Sequence, residues 1–560
     1  MLLTRFVLIS DLTLSHDYRE FPLLDFLPCA PSDMVPRFVY NFLKGRDSPA
    51  LDNGEALLST YSVRKLEASL LMHYKREEVA VPHIDYLENF IKDDTEIIGV
   101  STMDPLGFGP LTMSYAALFG NNSYPWVRKE WEYLLNRINK ARKGKKAKLV
   151  IGGPGVWEFT IAPEELDRFN VDYAFQGETD DILHLLFEQM FEDRIDTNLF
   201  FKGYITYDES FNRKWVKDER FVSRRPGVRM YPTLDQIPDI VRPTMKTLTE
   251  VMRGCGIGCD FCEVTLRPLR YYPVEKIKRE IEVNVKAGLH HAWLHSDEIF
   301  AYMHGPRFVP NEDALIELFS TVMQIDGVYD TNPTHGRISI PAAYPELLSK
   351  LSQIIHAGPS NWIGIQVGLE TGSDRLAKLH MPNKTLPLKI GADGSWQEIV
   401  WQGTRNMNMF WWRPAFTVQV GQNSETDEDN WETVALINRM SESYVNDRPF
   451  EFTVTPMQNV PLGMIKSRKF STEILTKAQL AVYYASYRHL AKMASRDAYA
   501  EGGGNILSKL GASSIIALGG YAMLKVVESI CKKHGVDIDK VKSYGLNGSR
   551  RIETIAQLAS

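Results

Sequence analysis

The sequence predicts an α/β protein with two regions of parallel sheet followed by a helical C-terminal segment. Short apolar runs that end in turn residues alternate with amphipathic segments, which is the pattern of a parallel sheet. A chain of 560 residues is long enough for two to four domains. We expect a first domain at 1–199, a linker at 200–245, a second domain at 246–465 and a helical domain at 466–560.

Five apolar runs predict the strands of the first region, at 6–10, 79–81, 96–101, 149–151 and 171–176. The fourth run ends at Gly152 and Gly153, and the fifth ends at Gly177. Parallel sheets bind ligands at the carboxyl ends of their strands, so these glycine turns are candidate binding positions. The segment 200–245 contains several prolines, which favour a linker over long helices.

Six further runs predict the strands of the second region, at 249–252, 291–298, 337–340, 363–372, 414–421 and 450–454. Helical patterns separate them, for example at 274–287 and 345–356. After 466 the pattern is helical, and 510–524 is apolar but too short to span a bilayer. A helix packed on the barrel and a lipid-facing surface both fit that stretch.

Three of the five cysteines lie within eight residues, in the spacing C-x3-C-x2-C: Cys255, Cys259 and Cys262. Thiolates at this spacing can bind one iron–sulfur cluster, and Gly256 and Gly258 let the loop fold tightly. Three cysteines leave one iron of a cubane without a protein ligand. A zinc knuckle is the alternative, but it needs a fourth nearby ligand, and the next candidate is His290.

This motif resembles the signature of the radical S-adenosylmethionine (SAM) superfamily. The resemblance implies a partial (β/α)6 TIM barrel, a [4Fe–4S] cluster on the three cysteines and SAM on the fourth iron. It also implies cleavage of SAM to a 5′-deoxyadenosyl radical that abstracts hydrogen from the substrate, with electrons from a ferredoxin or flavodoxin. Phe261, the aromatic residue before the third cysteine, is then expected near the adenine.

The same resemblance suggests further cofactor contacts at strand ends. Asp297 and Glu298 correspond to the position that contacts the methionine amine, although a pair of helix-capping residues is the simpler alternative. Glu370 begins a Glu-Thr-Gly segment that resembles the one lining the SAM pocket. No residue is assigned here as the catalytic group that acts on the substrate.

The first region resembles the Rossmann-like, cobalamin-binding domain that precedes many radical SAM domains. The resemblance rests on its order in the chain and on the turn at Gly152 and Gly153. The Asp-x-His-x-x-Gly motif of that family, whose histidine ligates cobalt, is absent, because the loop after the third strand reads Asp104-Pro105-Leu106-Gly107. Cobalamin is therefore a candidate cofactor on weaker grounds than the cluster and SAM.

Bulk properties narrow the functional class. The net charge of −6 argues against a nucleic-acid partner, and the two isolated cysteines suit a reducing compartment. Without a signal peptide or spanning segment, we expect a cytoplasmic protein, with peripheral membrane contact as a further expectation.

The predicted substrate is an apolar lipid, because no basic cluster suits an anion and 510–524 is apolar. The Met- and Trp-rich run 407–412 is either core or part of an apolar pocket. The chain is similar in these respects to archaeal enzymes that form cyclopentane rings in tetraether (GDGT) lipids during lipid biosynthesis. A cobalamin-dependent radical SAM C-methyltransferase and an iron–sulfur electron carrier are the alternatives.

Overall fold

The computed structural model describes residues 4–20, 22–120, 122–208, 210–225, 227–465, 475–501 and 506–546. Within these residues the predicted α/β class is confirmed. A seven-stranded N-terminal sheet is followed by a second set of parallel strands, and long C-terminal helices pack against that set.

The N-terminal sheet has the strand order β2-β1-β3-β4-β5-β7-β6 and is parallel except for its last strand. Its strands are β1 (Phe6–Ser10), β2 (Val79–Ala80), β3 (Ile97–Ser101), β4 (Lys148–Gly152), β5 (Tyr173–Gln176), β6 (Phe200–Tyr207) and β7 (Arg213–Arg224). Its helices are α1 (Arg37–Leu43), α2 (Tyr61–Leu71), α3 (Leu87–Phe90), α4 (Pro110–Phe119), α5 (Trp126–Arg142), α6 (Glu164–Arg168) and α7 (Leu183–Phe191).

Strand β1 shows why these strands are apolar along their whole length. Val7 and Ile9 lie in a core with residues of α5, whereas Phe6 and Leu8 lie in a core with residues of α2 and α7. Successive side chains of a strand point to opposite faces, so a sheet covered by helices on both sides needs apolar residues at every position.

The segment predicted as a linker differs from that expectation in its first half. Residues 200–224 form the hairpin β6–β7, and β7 pairs in parallel with β5. The strand β7 is rich in charge because its first eight residues are exposed or half-buried, while its last four are buried. This partly exposed, charged strand therefore has no apolar signature in the sequence.

The second region contains six consecutive strand positions with parallel pairing, in the order expected for a partial (β/α)6 barrel. These positions are occupied by β8 (Leu248–Glu250), β11 (His291–His295), β12 (Asp330–Pro333) with β13 (His335–Gly336), β14 (Ile363–Glu370), β15 (Trp412–Val420) and β18 (Thr453–Gln458). Two short antiparallel pairs lie outside them: β9 (Met252–Arg253) with β10 (Arg270–Tyr271), and β16 (Tyr444–Val445) with β17 (Arg448–Pro449). The third position is shared by β12 and β13, which are separated by Thr334 alone.

Helices cover the outside of these strands. They are α8 (Val274–Lys286), α9 (Glu312–Met323), α10 (Ser339–Ala343), α11 (Pro345–Ile354), α12 (Asp374–His380), α13 (Trp396–Met409) and α14 (Asp427–Ser441). The strand predicted at 337–340 is wrong, because the strand ends at Gly336 and α10 begins at Ser339. Two of the Met and Trp residues at 407–412, Met407 and Trp412, are fully buried in the core, which confirms the core alternative for them.

The C-terminal helices are α15 (Lys477–Glu501), α16 (Ile506–Lys533) and α17 (Ile538–Ser543). Helix α15 packs against α14, α16 and the edge strand β18, and α4 of the N-terminal region contacts the same strand. The glycine break predicted at 502–504 falls outside the described residues. In the described part of the chain, no helix has both the length and the apolar composition needed to cross a membrane.

Candidate functional site

The cluster loop, residues 254–269, lies between two short antiparallel strands, β9 and β10. Gly254, Gly256 and Gly258 alternate with its other residues and have φ values of +77°, +67° and +84°. Only glycine adopts this region of φ without strain. At Gly254 a Cβ would also lie 2.7 Å from the carbonyl oxygen of Arg267, so the two ends of the loop touch.

Residues from two strand ends hold this loop in place. The backbone N–H of Gly254 donates to Asp297 Oδ2 (3.0 Å), just beyond the end of β11. From the segment after β14, Asn383 Nδ2 donates to the carbonyl of Ile257 (3.0 Å), and His380 Nδ1 lies 2.7 Å from Asp260 Oδ2. The loop therefore sits over the carboxyl ends of the barrel strands, where barrel enzymes place their chemistry.

The three thiols of the loop fit an iron–sulfur cluster. They are buried or half-buried and interact with one another, and desolvation raises the pKa of Cys255 to about 12 and that of Cys262 to about 11. Protonated thiols become ligands when a metal's charge offsets the loss of the proton. Among the described residues no group of three His, Cys, Asp or Glu side chains could hold one metal ion. A cubane does not need such a group, because each cysteine binds a different iron.

Asp297 and Glu298 have separate roles. Asp297 bonds to the start of the cluster loop. Glu298 is buried, caps a short helical turn through the N–H of Phe300 (3.0 Å) and lies 3.0 Å from Arg337 Nε. Burial raises the pKa of Glu298 despite the opposing charge of Arg337. Glu298 therefore caps a helical turn and Asp297 is the carboxylate that reaches the cluster loop, while contact of either with the SAM amine stays a prediction.

Glu370 is turned into the barrel by irregular backbone at the end of β14. The pairing with β15 shifts register between Gly368 and Glu370, and Glu370 has φ = +62°. Its Oε1 accepts a hydrogen bond from Lys384 Nζ (2.6 Å), directly over Gly368, where any Cβ would overlap both groups. A β-bulge re-aims a side chain in this way, and the strain indicates a position under functional constraint.

Lys384 brings a positive charge to the cluster loop. Burial alone would lower the pKa of its ammonium, but Glu370 and Cys259 outweigh burial and the pKa is raised. The charge also favours the thiolate forms of Cys259 and Cys262. Sequence reasoning missed Lys384, because a lysine in a polar loop after a short helix carries no recognisable signal.

The inner wall of the barrel is polar and has small residues. Along β11, β14 and β15 the fully buried side chains alternate with partly exposed ones, which face the interior. By strand register the interior side chains include Trp293, His295, Asn332, His335, Gln366, Ala415, Thr417 and Gln419. A Cβ at Gly364 would meet no atom of the described residues within 4 Å, so the wall is open there.

Two histidines meet on this wall. The ring centroids of His295 and His335 are 6.2 Å apart. Burial and the neighbouring His295 lower the pKa of His335, which favours the neutral form of its imidazole. His335 Nδ1 lies 2.9 Å from Thr334 Oγ1, and Gln366 also bonds to the His335 side chain. Sequence reasoning does not single out these residues, since a lone histidine in a strand is usually structural.

The carboxyl edge of the N-terminal sheet is more closed. A Cβ on Gly153 would lie 2.8 Å from the backbone of Thr102, and one on Gly155 would lie 2.5 Å from the carbonyl of Met103. The loops after β3 and β4 therefore interlock. Gly152 is less confined, since the nearest atom to an added Cβ would be the carbonyl oxygen of Phe175, at 3.9 Å.

Acidic side chains fill the space beneath these loops. Asp104 is bonded to the N–H of Gly109 (2.8 Å) and to Thr112, and Glu158 accepts from the N–H of Leu106 (2.6 Å). Burial and the adjacent Asp104 raise the pKa of Glu158 well above its usual value. Both carboxylates are thus engaged within the loops themselves, and the loop after β3, residues 102–109, contains no histidine that could ligate cobalt.

Comparison with known proteins gives a family match that includes the cluster loop. Residues 249–437 match the model described as "Radical SAM superfamily". The chain is also 25% identical over 239 residues to tRNA-2-methylthio-N(6)-dimethylallyladenosine synthase of Sulfurihydrogenibium sp. (strain YO3AOP1), over 41% of this chain and 47% of that protein. The match thus spans about half the length of that relative.

Two solved structures of the radical SAM methyltransferase TsrM from Kitasatospora setae are also similar. One contains tryptophan and a SAM analogue (14% identity, TM-score 0.45, 77% of this chain and 70% of that chain). The other contains cobalamin and a [4Fe–4S] cluster (13% identity, TM-score 0.47, 81% and 75%). The family model thus matches residues 249–437, which include the cluster loop and the barrel strands as far as β15 and most of α14.

Proposed function

We propose that this protein is a radical SAM enzyme that removes a hydrogen atom from an unactivated carbon of a substrate held in the barrel. The observation that carries the proposal is the loop with three cysteines in the spacing C-x3-C-x2-C and no fourth cysteine beside them. Cys29 lies in the N-terminal region near Thr112, and Cys531 donates to the carbonyl of Leu480 in the C-terminal helices. An electron carrier would instead ligate all four irons.

Named residues of the chain would hold the cofactors. Cys255, Cys259 and Cys262 would bind three irons, and Asp297 would fix the start of their loop. When bound, the cluster and SAM supply a 5′-deoxyadenosyl radical. The Glu370–Lys384 pair places both charges beside the loop, where an amino-acid group of opposite charges would bind.

The barrel wall favours a substrate with hydrogen-bonding groups next to the reacting carbon. His295, His335 and Gln366 present polar atoms to the interior, and Trp293 Nε1 is buried there with no hydrogen-bond partner among the described residues. A buried donor without a partner costs free energy, which a substrate acceptor would recover. The middle of a hydrocarbon chain would leave the Trp293 N–H without an acceptor and offer no partner to the polar atoms of the two histidines, so the wall favours a polar substrate over ring closure in a lipid.

Release of 5′-deoxyadenosine by the anaerobically reconstituted protein tests this proposal. We would compare the water-soluble extract of the source cells with tetraether lipids in detergent micelles. The proposal expects release that depends on the soluble extract and falls about tenfold in His335→Leu, the size of one lost buried hydrogen bond. His184→Leu, a half-buried histidine of the N-terminal sheet region, is the control. If a protein that holds its cluster releases no more 5′-deoxyadenosine with the extract or with the lipids than without them, the proposal is contradicted.

Cyclopentane ring formation in tetraether lipids is the second candidate. Its support is the exposed apolar surface on α16, where Leu518 is 68% and Tyr521 is 57% exposed. The side chains of Ile515 and Ile516, in the middle of the apolar stretch 510–524, are not among those that the structure describes. Lipid-dependent release of 5′-deoxyadenosine would place this function first.

Methyl transfer to carbon is the third candidate and would need cobalamin as a methyl carrier. The loop at Asp104 offers no histidine, so any bound cob(II)alamin is expected to lack imidazole coordination from the protein. Electron paramagnetic resonance (EPR) of the reconstituted protein would check this. Superhyperfine splitting from a protein imidazole nitrogen would contradict it.

A further inference from the structure

Two arginines at the ends of the cluster loop bind carboxylates of the N-terminal domain. Arg253 precedes the loop and Arg270 follows it, and the two residues pair directly across β9 and β10. Arg253 Nη1 donates to Glu178 Oε2 (2.6 Å) and Asp180 Oδ2 (2.9 Å). Arg270 Nη2 and Nη1 donate to the two oxygens of Glu178 (2.6 and 3.0 Å). One carboxylate therefore joins both ends of the loop.

These contacts are shielded from water. The side chains are only 9–17% exposed: Asp180 9%, Arg270 11%, Arg253 12% and Glu178 17%. Burial alone would raise the pKa values of Glu178 and Asp180, yet both are lowered, because Arg270 and Arg253 outweigh burial at Glu178 and Arg253 outweighs it at Asp180. Bidentate arginine–carboxylate contacts fix geometry as well as charge. Breaking such a buried pair on one side costs more than loss of an exposed pair.

The carboxylates are themselves held at the end of β5. The backbone carbonyl of Glu178 accepts from Arg224 of β7 (3.1 Å), and Arg224 also pairs with Asp181. Arg224 belongs to the hairpin that extends the N-terminal sheet. A continuous set of hydrogen bonds therefore runs from that sheet, through Glu178, to both ends of the cluster loop.

We propose that Glu178 and Asp180 are positioning residues for the cluster: they fix Arg253 and Arg270 so that the three cysteines stay at the spacing of a cubane. The inference rests on the proposed function, since it presumes that the loop holds the cluster. It gives the N-terminal domain a role that needs no ligand of its own. Groups outside the ligand set commonly control metal retention in this way.

The test uses the full-length protein with its reconstituted cluster, and the variant Glu178→Gln/Asp180→Asn. The control is Glu165→Gln, which removes a carboxylate from another pair of the N-terminal region, with Arg128 (2.7 Å). Transfer of iron to a ferrous chelator should be about tenfold faster in the double variant and within about twofold of wild type in the control. When SAM is added, the EPR signal of the reduced cluster should change in the double variant in a different way from the change seen in wild type.

Unchanged iron release and an unchanged EPR signal in a folded double variant would overturn the positioning role. If that variant does not fold, Arg270→Lys keeps the charge but loses the bidentate contact. It should release iron severalfold faster at an unchanged melting temperature, and release at the wild-type rate would overturn the inference. A wild-type protein that assembles no cluster would refute the proposed function itself. A cluster that is equally stable in wild type and in every variant would refute only the positioning role.

Discussion

The N-terminal sheet and the barrel share one plan of strand, turn and helix, but their carboxyl edges differ. At the N-terminal edge, Gly153 and Gly155 allow the loops after β3 and β4 to interlock, so backbone fills the space. At the barrel edge, Gly368, near the end of β14, leaves room for the charged pair of Glu370 and Lys384. Glycine therefore lets backbone fill one edge and charged side chains occupy the other. Strand order alone does not identify which edge carries chemistry; the groups that face it do.

The largest expected effect is on the barrel edge, at the cysteines. Replacing Cys255, Cys259 or Cys262 by Ala should reduce iron and sulfide to background and abolish SAM cleavage, because a second iron loses its ligand. Iron and sulfide quantitation and 5′-deoxyadenosine release measure both effects. Cys29→Ala at the N-terminal region is the matched control and should keep its cluster. Equal loss of the cluster in Cys29→Ala would show that the ligand assignment is wrong.

The second prediction concerns the charged pair over Gly368. Lys384→Met leaves the Glu370 carboxylate buried without its cation, so the variant should lose about 3–5 kcal/mol of unfolding free energy. The double variant Lys384→Met/Glu370→Gln should recover most of that loss, because neither buried charge remains. Urea unfolding of the cluster-free proteins measures this. A double variant as unstable as the single one would mean that packing, rather than charge, explains the effect.

The third prediction concerns the closed N-terminal edge and its pH dependence. Burial raises the pKa of Asp11 to about 7, against an ordinary value of 3.8, although Thr13 donates two hydrogen bonds to it. The folded state therefore keeps a proton that the unfolded state loses. The stabilising contribution of protonated Asp11 is complete below pH ~4 and is lost as the pH rises to about 7.

Replacing Asp11 by Asn should flatten this dependence. Between pH 4 and 7 the unfolding free energy of the wild type should fall relative to that of Asp11→Asn, at up to about 1.4 kcal/mol per pH unit. Urea midpoints at about pH 4.5, 6 and 7.5 for both proteins check the sign. The barrel variant Asn332→Asp is a control, because its new carboxyl faces the open interior of the barrel. It should add much less to the fall in unfolding free energy between pH 4 and 7 than Asp11 does. A parallel pH dependence in wild type and Asp11→Asn would contradict the prediction.

The sequence predicts most strands because their apolar runs reflect burial on both faces. Features that depend on contacts between distant segments escape it. The charged strand β7 resembles a linker in the sequence, because what makes it a strand is its pairing with β5, for example of Phe221 with Ala174. Residues 337–340 resemble a strand because isoleucines alternate there, although Ile338 and Ile340 face the core from a helical turn.

The candidate site divides in the same way. The cysteine spacing is local, so the sequence alone identifies the cluster loop. The roles of Lys384, His335 and Glu178 depend on which segments meet at the barrel mouth, and no spacing along the chain records that. Glu298 is a mixed case: the motif predicts a cofactor contact, which stays a prediction, whereas its ion pair with Arg337, which follows the next strand position, is visible only in the structure.

The smallest expected effect lies on α16, outside both edges. Leu518 is 68% exposed, so Leu518→Asp should change the unfolding free energy by no more than about 0.5 kcal/mol. If the substrate is polar and enters the barrel directly, release of 5′-deoxyadenosine with the soluble extract should also stay at the wild-type level. Ser514→Asp, on the same helix and also exposed, is the control for added charge. Loss of release with tetraether lipids in Leu518→Asp, but not in Ser514→Asp, would instead show that this apolar surface admits a lipid and that the polar wall serves another purpose.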